Sequence, residues 1–175
     1  MIEPTVAPAP VPRDAPPAAK LRRRMLNPWL MRGFMLTKLP LALIAGLRVR
    51  ELDEERCTVT VPYGWRSTNP FRSTYFAALS MAAEMSTGAL AMLEVELAPK
   101  PVSMLITGMT AEFGKKATGL TAFTCADGRG LAGAVARAVA GEPNTFEAVS
   151  TGTAQDGAVV ARFTFTWSFK AKERR

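Results

Sequence analysis

Apolar and polar positions alternate most cleanly near the C-terminus. Over residues 158–170, Val159, Ala161, Phe163, Phe165, Trp167 and Phe169 alternate with Val160, Arg162, Thr164, Thr166, Ser168 and Lys170. A two-residue period is the mark of a strand with one buried face. Cys57, Val59 and Val61 alternate with Thr58 and Thr60 in the same way. That segment is expected to pair with Arg48–Leu52 across the acidic turn Asp53-Glu54-Glu55. Further strands are predicted at Val102–Phe113, 120–126 and 145–154, with Asp156-Gly157 as a hairpin turn before the last one.

The pattern changes at 75–93. This stretch has no proline and one glycine, and it is rich in Ala, Leu and Met, which predicts a helix. It is apolar almost all round, so it is expected to be buried on most sides. Ser73 or Thr74 is the expected cap. A short second helix is predicted at 130–140, where Leu131, Val135 and Val139 stand four apart. Strands outnumber helices and hairpins dominate the second half, so the fold class is α+β with an antiparallel sheet.

Three regions follow. Residues 1–20 carry six prolines and predict a disordered or polyproline tail that holds no helix. Residues 21–47, divided by Pro28 and Pro40, predict an N-terminal helical segment of two short helices packed on the domain. The run Lys20-Leu-Arg-Arg-Arg24 and the apolar residues after it also suit weak contact with an anionic membrane surface over residues 20–47. The apolar run 39–47 is too short to span a bilayer. Residues 48–175 form the main domain.

Composition narrows the chemistry. The 175 residues include no histidine. That excludes Ser-His-Asp and Cys-His catalysis and two-His zinc sites. Cys57 and Cys125 are too few for a four-cysteine site, so no metal is expected. Two unclustered cysteines do not make a disulfide framework, and a reducing cytoplasm is the expected setting. The net charge of +7 gives a basic surface that attracts phosphates. Gly128-Arg-Gly130-Leu-Ala-Gly133 matches a dinucleotide fingerprint, but no further βα units follow, so it reads as a turn into a helix. The aromatic face of the last strand reads as core, and no nucleic-acid partner is expected.

One residue stands out. Glu84 is the single charged residue between Arg72 and Glu94, inside the apolar helix. Burial raises a carboxyl pKa toward the range useful for a general base. Ser80, Met81, Thr87 and Gly88 are its helical neighbours, and two hydroxyls beside one acid suit a site that must place a water. Free amides at the helix start, Tyr75 to Ala77, suit a polarised carbonyl. Glu84 equally suits a subunit interface, where an arginine or an amide would satisfy it. Lys115-Lys116, beside Gly114, reads as a solvated turn or as a phosphate contact.

Asn69 to Gly88 resembles the hotdog-fold thioesterases, particularly the PaaI-like group and its DUF4442 branch. In that group an Asn precedes the central helix, His-Gly-Gly opens it, and an acid follows within it. Here Asn69 takes the first place, Tyr75-Phe76-Ala77 stand at the second, and Glu84 takes the third. The resemblance implies a hotdog fold, a long central helix wrapped by an antiparallel sheet. It implies a homodimer or tetramer that hydrolyses acyl-CoA or acyl-ACP thioesters. Glu84 would act as general base or nucleophile. The N–H of Phe76 or Ala77 would polarise the carbonyl, and Asn69 would position water or substrate. Tyr75, Ser80, Thr87, Lys115 and Lys116 would contact substrate. CoA would enter as part of the substrate, with no resident cofactor. The alternative is a non-catalytic hotdog protein that binds acyl chains or CoA.

Overall fold

The computed structural model describes residues 16–172. Three short helices open the chain: α1 (Pro16–Leu26), α2 (Pro28–Lys38) and α3 (Pro40–Ala45). Strands β1 (Arg48–Leu52) and β2 (Cys57–Val61) lead to the long helix α4 (Phe76–Leu97). Then come β3 (Val102–Phe113), β4 (Thr121–Cys125), helix α5 (Gly128–Val139), β5 (Asn144–Ala154) and β6 (Val159–Ala171).

The six strands form one sheet in the order β1-β2-β4-β5-β6-β3, and every neighbouring pair is antiparallel. Helix α4 packs against β2, β4 and β5, with α5 beside it. The alternation in β6 holds from Ala161 onward: Phe163, Phe165, Trp167 and Phe169 are buried in the core, while Thr164, Thr166 and Ser168 are only partly covered. At its start the expected faces are exchanged, with Val159 exposed and Val160 fully buried, where the pairing with β5 slips between Gly152 and Thr153. Burying four large aromatic side chains stabilises the fold by roughly 1.5–3 kcal/mol each. Helix α4 is long and apolar enough to cross a bilayer, yet most of it is wrapped inside the protein.

Two further expectations change. The tail was expected to hold no helix up to residue 20, but α1 begins at Pro16. Pro16 and Pro17 occupy its first turn, where an N–H has no partner within the helix, so proline costs nothing there. The rest of the expected tail, residues 1–15, lies outside the described residues. Ala18, Leu21 and Met25 are the buried side of α1, which rests on α4 and β1. Neither Ser73 nor Thr74 caps α4. The cap residue is Tyr75, with no side-chain cap bond. Thr74 Oγ1 instead donates to Ala117 O at 3.2 Å, tying the loop to the segment after β3.

Cys57 and Cys125 face each other across β2 and β4. Both are fully buried free thiols. Burial pushes both pKa values up, that of Cys125 to about 12.

Candidate active site

The loop before α4 is built around Asn69. Its Oδ1 accepts from Phe71 N at 2.9 Å, Ser73 N at 3.2 Å and Ser73 Oγ at 3.3 Å. Its own N–H donates to Ser73 O at 3.0 Å. Arg72 takes a positive φ of 56° to close this tight turn. The carbonyl side of Asn69 is therefore committed to the loop, and its NH2 is the group left for a ligand.

The loop delivers the chain to α4 through Tyr75 N, which donates to Ser67 O at 2.6 Å. Tyr75 O accepts from Ala78 N at 2.9 Å and Leu79 N at 3.3 Å. The N–H groups of Phe76 and Ala77 come before these and have no backbone partner among the described residues. A cavity of about 540 Å³ lies at this end of the helix. Asn69, Tyr75, Phe76, Lys115 and Lys116 all line it. Five of the nine predicted site residues are thus brought together. The sequence reading missed Phe71, Leu79 and Phe113, which supply its apolar wall. They lie at a loop tip, under the helix and at a strand end, so no single spacing marks them.

The lysines are anchored from below. Lys115 Nζ pairs with Asp156 Oδ2 at 2.8 Å, and this bond is the main cause that holds the Asp156 carboxyl below its usual range. Lys116 Nζ donates to Phe71 O at 3.5 Å. Both are exposed, so they set local charge rather than stability.

Glu84 does not line this cavity. It lies eight residues beyond Phe76, about 12 Å along the helix axis. Its carboxylate has no hydrogen bond or ion pair among the described residues, and burial raises its pKa. A Cβ added at Gly88 would stand 3.0 Å from Glu84 Oε1 and 3.3 Å from two atoms of the Trp167 ring. The acid therefore lies against Gly88 with an aromatic wall close by.

Burial along α4 sorts the remaining residues. Phe76 is exposed, and Ala77, Ser80, Met81 and Glu84 are only partly covered, while Ala78, Leu79, Ala82 and Ala83 are buried. Positions 77, 80, 81 and 84 follow helical spacing, so they form one uncovered stripe. Ser80 Oγ on that stripe donates to Met109 Sδ at 3.4 Å. Thr87 stands on the same face one turn beyond Glu84, where the sheet covers the helix, and is fully buried. Its Oγ1 donates to Glu84 O at 3.0 Å and accepts from Trp167 Nε1 at 3.1 Å. The expected substrate contact at Thr87 is thus corrected: a hydroxyl sealed in the core with both bonds made does not reach a ligand. Among the described residues no three of His, Cys, Asp and Glu stand close enough to hold a metal.

The same sheet and helix recur in solved structures. A Pseudomonas aeruginosa protein of unknown function, PA5026, described as a probable thioesterase, superposes with a TM-score of 0.68 at 19% identity, covering 85% of this chain and 99% of its own. The thioesterase HI1161 from Haemophilus influenzae matches with a TM-score of 0.58 at 10% identity, over 78% of this chain and 87% of its own. The Escherichia coli PaaI protein, from an operon for phenylacetic acid degradation, matches with a TM-score of 0.55 at 15% identity, over 84% and 94%. The shared architecture is the hotdog fold. No curated protein sequence matches the chain significantly. The model of a domain of unknown function, DUF4442, matches residues 27–169, and the chain belongs to that family.

Proposed function

We propose that the protein hydrolyses acyl-CoA or acyl-ACP thioesters at a site shared by two copies of the chain. The observation that carries this reading is the uncovered stripe of α4, which holds free amides at one end and, at the other, a partly covered carboxylate with no partner among the described residues. Within one helix these groups are too far apart to act on one carbonyl. Two α4 helices running antiparallel about a two-fold axis near Ser80 bring Phe76 of one copy beside the partner's Glu84. The unpaired outer edge of β3 and its exposed Leu105, Met109 and Phe113 supply the adjoining surface for such a dimer.

The reaction balances with these groups. The Glu84 carboxylate takes a proton from water as the water oxygen adds to the thioester carbon. The amides of Phe76 and Ala77 hold the oxyanion. The C–S bond then breaks, and the leaving thiolate takes the proton back from Glu84. The carboxylic acid and the thiol are released. The acyl chain lies along the stripe, and the carrier's phosphates lie toward Lys115 and Lys116. CoA or the carrier arrives as substrate, as it would in a cytoplasmic acyl pool.

The test is a hydrolysis panel over acyl-CoA chain lengths, with wild type and Glu84→Gln, beside a light-scattering mass. The reading expects turnover that Glu84→Gln removes, and a dimer that Met109→Glu splits with loss of turnover. Full activity in Glu84→Gln overturns it. A second reading draws on Tyr75 and Phe76, whose rings meet edge to face with centroids 4.8 Å apart at the helix mouth. Such bulk suits a protein that binds acyl chains or CoA without turning them over. Ligand-dependent thermal stabilisation with no hydrolysis at any chain length would establish it instead.

A further inference from the structure

We propose that α2 and α3 dock the protein on an anionic phospholipid surface, and that the cleft beneath them receives a lipid phosphate. This inference is independent of the hydrolytic reading. It starts from helices that are apolar on two sides. In α2, Met31 and Met35 are buried against the domain. Trp29 and Leu36, seven residues apart on the opposite face, are 75% and 66% exposed, with Arg32 between them. In α3, Ala42 and Ala45 are buried, while Leu41 and Ile44 are 68% and 54% exposed. A helix whose inner face already packs normally carries polar residues outside.

Charge selects the occupant. Residues 16–50 hold eight Lys and Arg and no Asp or Glu. Of these, only Arg22 forms an ion pair among the described residues, with Glu54. A cleft of about 730 Å³ lies between α2, α3 and β1, floored by Met31, Met35 and Leu47 and rimmed by Arg32, Arg48, Arg50 and Arg66. Among the described residues, no carboxylate lines it. The Arg32 guanidinium lies 5.5 Å from the centroid of the Trp29 ring, which joins the cationic rim to the exposed aromatic. Apolar side chains beside unpaired cations match an interface of acyl chains below phosphates. A second copy of this face would bring like charges together, since a two-fold contact sets a surface against itself. Nucleic acid would match the cations but leave Leu36, Leu41 and Ile44 against a polar groove.

Flotation of the full chain tests this, with vesicles of phosphatidylcholine alone and of equal parts phosphatidylcholine and phosphatidylglycerol. Binding is expected on the anionic vesicles only. The double variant Trp29→Ser/Leu41→Ser should weaken it more than about tenfold. Arg32→Glu/Arg48→Glu should do the same. All four side chains are exposed, so the fold is kept, which circular dichroism confirms. Brominated lipid should quench a fluorescence component that Trp29→Phe lacks. Inorganic phosphate should not raise the melting temperature as anionic vesicles do. Equal binding to neutral vesicles, or unchanged binding by both double variants, overturns the proposal. So does stabilisation by free phosphate equal to that by vesicles, which assigns the cleft to a soluble anion. A dimer that Trp29→Ser/Leu41→Ser dissociates assigns the face to a second copy, and that too overturns it.

Discussion

Glu84 and Gly88 touch across one turn of α4, with Glu84 Oε1 at 3.0 Å from where a Gly88 Cβ would lie. The same Cβ would meet the Trp167 ring at 3.3 Å. Gly88→Ala therefore gains up to about 1 kcal/mol of helix propensity and loses a similar amount to crowding. Its melting temperature should barely move. Its turnover should fall at least about tenfold, because the carboxylate is pushed from its place. Unchanged kcat would show that the position of Glu84 is not critical.

The raised pKa of Glu84 makes a statement about stability. Folding favours the protonated acid, so this group's contribution is fully present below the ordinary carboxylate pKa. It is lost as pH rises through the higher folded value. Glu84→Gln keeps a neutral side chain at every pH. Denaturant melts should show the variant matching wild type in acid and exceeding it at alkaline pH. Wild-type kcat/KM should rise with pH through a limb above the ordinary carboxylate range, because the base acts unprotonated.

Trp167 Nε1 depends on Thr87 Oγ1, its acceptor in the core. Thr87→Val keeps the shape and removes the acceptor. It should destabilise the protein by about 1–3 kcal/mol, the penalty of an unsatisfied buried donor. Thr87→Ser retains the bond and should recover most of the hydrogen-bond loss. Urea midpoints of the two variants make the comparison.

These predictions mark what could be read from the chain. The period of β6, the limits of Val102–Phe113 and the lone acid in an apolar helix were all legible, because each is a local pattern. The extent of the cover along α4 was not. A helix apolar on every side gives no sign of how far along it a stripe stays uncovered, so Thr87, one turn beyond Glu84 on the same face, looked like part of the site when it is sealed against Trp167. Only the sheet decides that. Asn69 was found by its place in the chain, but the three hydrogen bonds its Oδ1 accepts from the loop depend on the positive φ of Arg72, which no spacing reveals. The cleft under α2 and α3 was invisible for the same reason, since its arginines come from a helix, a strand and a loop.

The glycine motif separates packing from binding. A Cβ at Gly128 would lie 1.9 Å from Glu54 O, a backbone atom with little room to yield. At Gly133 the nearest atom is the flexible end of Arg137, at 3.7 Å. Gly128→Ala should destabilise by about 2 kcal/mol or more. Gly133→Ala should stabilise by up to about 1 kcal/mol through helix propensity. Melting curves check both. A dinucleotide titration that leaves wild type unchanged confirms that the motif serves the contact between the β1–β2 turn and the start of α5.

Cys57 and Cys125 give the sheet a built-in clock. They sit on β2 and β4, near one end of their pairing, with no solvent path to either sulfur. A thiol reagent must wait for these strands to part, so its rate counts openings rather than chemistry. The two labels should enter together in a single slow phase that anything stabilising the native state retards. Measured with and without an acyl ligand, that waiting time tells how far binding at one end of α4 stiffens the middle of the sheet.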